Sequence, residues 1–306
     1  MENIFFRSFI FIFIIFLGFI LKKFNFYEKS DYKIITKTVI NIIMPAVIIT
    51  SFSKLEKDSS LFLLIFLGII CNLIMLLFGY IFSKNKDDKI KSLFMLNLQG
   101  YNIGSFALPF VQNMLGPLGV VAVCMFDIGN SILCTGGSYA ITSSVIQSNT
   151  ENFSPKAFFK KLFSSIPFIT YIIMILMTEL NIKIPNDIII SLTSFIASAN
   201  GFLSMLMIGM MFEINFKYEY LYTVGKILTI RYAAAIIMSY IFYTFLPLNL
   251  ELRQIIVIIL FAPVSFLASI FTEKCNSDVG ISSFITFITI IISLISFIIL
   301  FNIFKF

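Results

Sequence analysis

Between Gln99 and Asn113 the chain reads QGYNIGSFALPFVQN. Gln99, Asn102 and Ser105 carry amide and hydroxyl groups that can donate to an anion. Around them, Gly100 and Gly104 disfavour helix, while Pro109 lacks a backbone donor and clashes with the turn before it. In hydrocarbon such freed backbone groups must find partners, so an interrupted helix survives only beside protein or a water-filled cavity. A second interruption, LFAPVSFLAS around Pro263, contributes Ser265 and Ser269. Two interrupted apolar segments at matching places in two halves of a chain point to a solute-binding site at mid-membrane. The spacing predicts one half-helix ending near Asn102 to Ser105 and the next starting near Pro109, with Pro263 starting its counterpart from the opposite side. Two such helix N-termini, with unpaired N–H groups and positive dipole ends, favour an anion, most simply a carboxylate. The carbonyl ends opposite them could hold a cation or bond water. The alternative is that the polar side chains only cap the freed backbone.

Asp127 and Asn130, in CMFDIGNSIL, form a second constellation. A carboxylate deep in an apolar segment is costly and usually functional. Two roles are open to it: coupling to a proton or cation, or pairing with Arg231. Lys37, with Asn41, is expected to snorkel to the nearer interface. Glu179 and Glu213 fall near segment ends, where solvation accounts for them, and Glu273 and Asp278 flank the end of the segment containing Pro263. The sequence has no histidine, which removes the commonest general base and metal ligand. It also contains no GxxxxGK[ST], HExxH or GxSxG pattern, so neither an enzyme nor a cofactor or metal is expected.

These residues sit in a chain of 306 residues, 59% hydrophobic and 12% charged, with a mean hydropathy of +0.99. A soluble domain cannot bury that much apolar surface, so the lipid bilayer is the first expected partner. Ten apolar segments are predicted, at 3–21, 33–53, 60–83, 92–114, 118–146, 159–180, 187–213, 221–246, 253–273 and 281–304. The first resembles an uncleaved span rather than a signal peptide, because its apolar run is long and no small-residue cleavage site follows. The net charge of +6 comes from lysines scattered between apolar spans, which does not suggest nucleic-acid binding. Lys22, Lys23, Lys29 and Lys33 flank the first connection, Lys84 to Lys91 the third, and Lys156, Lys160 and Lys161 the fifth. Lys217 and Lys274 lie in the seventh and ninth. The even-numbered connections hold only Lys54, Lys57, Lys183 and Arg253. The odd connections are therefore expected in the cytoplasm, with both termini outside and the plasma membrane as location. Dividing at 147–158 leaves a first five-span unit, 1–146, and a second, 159–306. An odd number of spans per unit makes the two inverted relative to each other. Cys71, Cys124, Cys134 and Cys275 are expected to be packing residues, since none forms a CxxC pair.

Several stretches together resemble the auxin efflux carrier family, which includes plant PIN carriers and bacterial permeases proposed for malonate or malate. FLGFILKKFNFYEKS and NIIMPAVIITSFSKL are similar to its first two spans. YNIGSFALPFVQNMLGPLG is similar to its fourth, with Asn102 seven residues before Pro109. FDIGNSIL, NGFLSMLMIGMMFE and FAPVSFLASIFTEKCNSDVG are similar to spans five, seven and nine. The sequence departs from the family pattern at Ala107, Phe266, Leu267, Lys274 and Cys275. The resemblance implies an all-α membrane protein of ten helices, a 5+5 inverted repeat whose broken fourth and ninth helices cross. Spans one, two, six and seven would form a scaffold and homodimer surface, and the rest a domain carrying a small organic anion by an elevator motion. Related folds couple transport to sodium or a proton, and a non-transporting sensor on the same scaffold is a further alternative.

Overall fold

The computed structural model describes residues 2–28, 30–54, 58–146, 154–182, 184, 187–211 and 218–304. Lys29, Lys57, Lys183, Glu213, Lys217 and most of the 147–158 connection lie outside these, as does the side chain of Lys161. All regular secondary structure among the described residues is helical, with no strand. In chain order the helices are α1 (Glu2–Lys23), α2 (Tyr32–Thr38), α3 (Met44–Phe52), α4 (Phe62–Ser83), α5 (Asp88–Leu98), α6 (Leu108–Met114), α7 (Gly116–Ile132) and α8 (Ser138–Val145). They continue with α9 (Pro155–Leu162), α10 (Ile166–Glu179), α11 (Asp187–Ser198), α12 (Asn200–Met211), α13 (Leu221–Phe245), α14 (Leu250–Leu260), α15 (Leu267–Lys274) and α16 (Val279–Phe304).

Among the described residues, six stretches are long and apolar enough to cross a bilayer: Tyr32–Phe52, Phe62–Ser83, Gly116–Val145, Asp187–Met211, Tyr218–Phe245 and Val279–Phe304. The apolar α10 is shorter. Large apolar side chains such as Phe13, Phe195, Ile237 and Ile299 are exposed on the outer faces of the bundle, as lipid rather than water requires. The protein is therefore a multi-pass membrane protein.

Wide π turns let helices continue through prolines. Val39–Ile43 precedes Met44 and Pro45, and Ile103–Ala107 precedes Leu108 and Pro109. A π turn shifts the hydrogen bonds by one residue, which absorbs the donor that proline lacks. Pro109 therefore does not mark the interruption in span four, as its position predicts. The helix breaks earlier, between Leu98 and Ile103, at Gly100, whose φ of +83° is left-handed and suits glycine alone. In span nine, Pro263 likewise does not start a helix. It lies within the unwound stretch between Leu260 and Leu267.

Backbones approach closely where glycines face each other. A Cβ on Gly209 would stand 1.9 Å from the Ile15 carbonyl oxygen, and one on Gly18 2.3 Å from that of Leu206, so α1 and α12 touch backbone to backbone. Gly68 and Gly129 do the same for α4 and α7, at 2.2 Å from the Phe126 oxygen and 2.0 Å from the Ile65 oxygen. Small residues are the means by which helices associate in lipid, where no hydrophobic drive remains between them. Gly209→Leu is accordingly expected to destabilise the protein by roughly 3 kcal/mol or more, because the colliding partner is backbone and cannot rotate away. Gly225→Ala, at a site with nothing within 4 Å, is expected to be neutral or to stabilise by about 0.5–1 kcal/mol. Unfolding can be followed with a thiol-reactive dye, since all four cysteines are buried and free.

The remaining helices pack around the two interruptions. α4 lies against α5 and α7, α13 against α14 and α16, and α3 against α10 and α11. α14 also meets α7, while α5 meets α16 and α13. Phe106, Phe110 and Phe297 fill the centre with ring centroids 5.2–5.5 Å apart, and Phe11 of α1 adds an edge contact at 4.7 Å.

Candidate functional site

The two interruptions meet. The Asn102 backbone N–H donates to the Pro263 carbonyl at 2.8 Å, joining the unwound stretches directly. The other freed backbone groups are held by four polar side chains, one from each neighbouring span. Asn72 of α4 accepts from the Gly100 N–H at 2.8 Å. Asn130 of α7 accepts from the Tyr101 N–H at 3.1 Å and donates to the Tyr101 carbonyl at 2.9 Å. Thr289 of α16 accepts from the Val264 N–H at 3.2 Å.

Arg231 of α13 is the fourth. Its guanidinium donates to the Leu98 carbonyl, to Gly100 at 3.0 Å and to Ala262 at 2.9 Å, and it lies over the Tyr101 ring at 5.1 Å. Leu98 and Gly100 flank the end of α5, and Ala262 follows the end of α14. One buried cation therefore serves the negative ends of both half-helices. It does not pair with Asp127, the partner that burial alone suggested. The carbonyls expected to hold a cation do hold one, and it is covalently part of the chain.

With the backbone capped by these residues, Asn102 and Ser105 are released from that duty. Both are buried, and the Asn102 side chain makes no hydrogen bond to the ends it adjoins. The N–H of Ile103, which opens the Ile103–Ala107 turn, is itself satisfied, donating to the Tyr101 carbonyl at 2.9 Å. Asn102 and Ser105 stand in the wall between two hollows. One is a cavity of about 150 Å³ that they share with Asp127, Asn130, Tyr171 and Ser265. The other is a cleft of about 300 Å³, walled also by Lys33, Lys37 and Thr36. It continues past Ser269 into a wider mouth of about 490 Å³ beside Ser30, Tyr32 and Ser283. Phe266 is common to all three.

Five of the residues singled out in sequence thus share one place: Asn102, Ser105, Asp127, Asn130 and Ser265. Gln99 points away, donating to Ser138 Oγ at 3.0 Å, and lines neither hollow. Ser269 lines only the outer mouth and bonds Ser282 at 3.0 Å. Pro109 and Pro263 shape backbone without facing either hollow. Lys37, expected at the interface, lines the cleft. The Asp127 carboxylate accepts from Asn130 Nδ2 at 2.9 Å and from Tyr171 Oη at 3.1 Å. Asn72, Thr289 and Tyr171 were not singled out. The signal for each was a polar group inside an apolar span, but their partners lie 25–44 residues away in sequence.

No curated protein sequence matches this chain. The family profile described as "Membrane transport protein" matches residues 4–301, nearly the whole length. Interrupted helices that join each other beside polar hollows are what such a protein needs. The chain accordingly belongs to the auxin efflux carrier family of membrane transport proteins.

Proposed function

We propose that this protein is a secondary transporter of a small organic anion, a carboxylate, working in the plasma membrane by elevator-type alternating access. The observation that carries this reading is the unengaged Asn102 side chain at the wall of a cleft that Lys33 and Lys37 make basic. Two lysines, the Asn102 amide and the Ser105 hydroxyl form a site that attracts negative charge and holds it by oriented donors.

A 5+5 inverted repeat, 1–146 and 159–306, accounts for the packing. Span one pairs with seven as six pairs with two, and span three with five as eight with ten. The freed backbone of span four is held from spans three and five, and that of span nine from eight and ten, with Arg231 reaching both. Each hollow has spans two and six or seven on one wall and spans four, five, nine or ten on the other. That seam is where a carrier group would slide past a scaffold of spans one, two, six and seven, whose outer faces would also form a homodimer. The wide mouth lies beside the first connection and the end of span seven at Met210 and Met211, the side expected to face the cytoplasm, so the conformation corresponds to an inward-open carrier with both termini outside. A sodium-coupled reading is weakened because Arg231 occupies the carbonyls that a bare cation would use.

Thermal midpoints of the detergent-purified protein test this with malonate, malate, indole-3-acetate and a neutral amphiphile, each with and without sodium. Stabilisation by at least one carboxylate, without a sodium requirement, is expected. Stabilisation by sodium alone would replace the anion reading with the cation-coupled one.

A further inference from the structure

Asp127 is buried in the cavity that also holds Asn102, yet nothing in the anion reading uses it. Its two partners, Asn130 and Tyr171, are both neutral. The elements packed against it supply no counter-ion. α7 itself brings Cys124, the turn after it Cys134, and the unwound stretch Tyr101. α4 brings Cys71 and Tyr80, while α3 and α6 bring no ionisable group. α10 brings Tyr171 and, two turns further on, Glu179. α14 brings Glu251 and Arg253, at the end away from its unwound stretch. Arg231 is turned to the carbonyls.

A second observation concerns where the Tyr171 bond runs. Tyr171 belongs to span six and Asp127 to span five, so the bond crosses the seam between the proposed scaffold and the carrier group. Gln112 also crosses it, donating to the Ala197 carbonyl at 3.0 Å and accepting from Asn200 at 2.8 Å, but neither of those partners can change charge. Asp127 is also tied to the binding wall. Asn130 holds its carboxylate with the same Nδ2 that donates to the Tyr101 carbonyl, one residue from Asn102.

We propose that Asp127 takes up a proton when the anion binds, and that its seam-crossing bond from Tyr171 is the tie this protonation loosens. The inference rests on the anion reading above. Two negative charges in one small low-dielectric cavity repel, so an anion beside Asn102 favours the protonated carboxyl. By linkage the proton must favour the anion equally. A hydrogen bond to a carboxylate is stronger than one to a neutral acid, so the loaded, protonated site crosses more readily, and the empty, ionised site returns more slowly against the stronger bond. The cargo is then the anion plus one proton, taken up from the solution on the side the site faces, and transport is symport.

The test uses the full-length protein and malonate, malate and indole-3-acetate as probes, with affinity measured between pH 5.5 and 8. If one proton accompanies the anion, the dissociation constant rises about tenfold per pH unit once the empty site is ionised. Asp127→Asn, neutral at every pH, is expected to bind with no such slope. Asp127→Glu, which still titrates, restores the slope and keeps the inference testable if the asparagine variant does not fold. In proteoliposomes, anion entry should acidify the lumen in the wild type, and Tyr171→Phe should change the transport rate more than the affinity. Binding that is independent of pH in the wild type, or entry without acidification, overturns the proton inference alone. Failure of all three anions to bind wild type at any pH overturns the anion reading and this inference with it.

Discussion

Replacing Arg231 with alanine is expected to cost on the order of 3 kcal/mol or more and to abolish transport. The side chain serves three carbonyls at the ends of two interrupted helices. Each carbonyl left unpaired in a dry interior costs about 1–3 kcal/mol. Some of that is offset, because the variant no longer desolvates a guanidinium, but the half-helices also lose the one cation facing their negative ends. The interruption would then close toward regular helix or admit water, and either outcome moves Asn102. Arg231→Lys is not expected to rescue, since a single ammonium cannot present the planar fork that reaches Leu98, Gly100 and Ala262 together. Free guanidinium at millimolar concentration is expected to raise the unfolding midpoint of Arg231→Ala relative to an equal concentration of sodium chloride. A variant as stable as wild type, with transport intact, would show that the carbonyls find other partners.

Asn102→Ala is expected to separate stability from function in the opposite way. Its backbone N–H, which joins the two interruptions, survives the substitution, and the side chain makes no capping bond to lose. The cost in stability is therefore expected to stay below about 1 kcal/mol, within the range of substitutions that break no internal contact. A hydrogen bond to a charged ligand contributes about 1.5–3 kcal/mol. At about 1.4 kcal/mol per decade this corresponds to a loss of roughly ten- to a hundredfold in anion affinity. Uptake into proteoliposomes, normalised to the amount of folded protein, gives the answer. Full residual uptake by a stable Asn102→Ala protein would remove Asn102 from the binding site.

The two variants together separate capping from binding. A residue that only caps freed backbone loses stability and activity in proportion. A residue spared from capping loses activity alone. The division depends on spans three, five, eight and ten each lending a side chain, through Asn72, Asn130, Arg231 and Thr289. Without those four, the polar residues of the interruptions would be consumed in satisfying their own backbone.

Composition and hydropathy determined that the chain lives in a bilayer, because no soluble packing could bury so much apolar surface. Local chemistry also determined that two helices are interrupted, since Gly100, Pro109 and Pro263 cannot all sit in regular helix. The family was legible in the same stretches and is matched over residues 4–301. The position of the first break was not legible. Proline reads in sequence as a helix breaker, but a π turn carries the helix past Pro109, and the left-handed Gly100 makes the break seven residues before Ala107. Partners were not legible either. Arg231 and Asp127 are the natural ion pair when only depth and charge are known. Packing instead turns Arg231 onto the helix ends and leaves Asp127 to Asn130 and Tyr171. Gln99 and Asn102 are three residues apart, yet the break between them sends one toward Ser138 and the other to the cavity wall. Sequence spacing decides which groups are available along a helix. Which of them remain unpaired is decided only when segments more than a hundred residues apart come into contact, because each freed carbonyl and N–H takes the nearest donor or acceptor that packing brings.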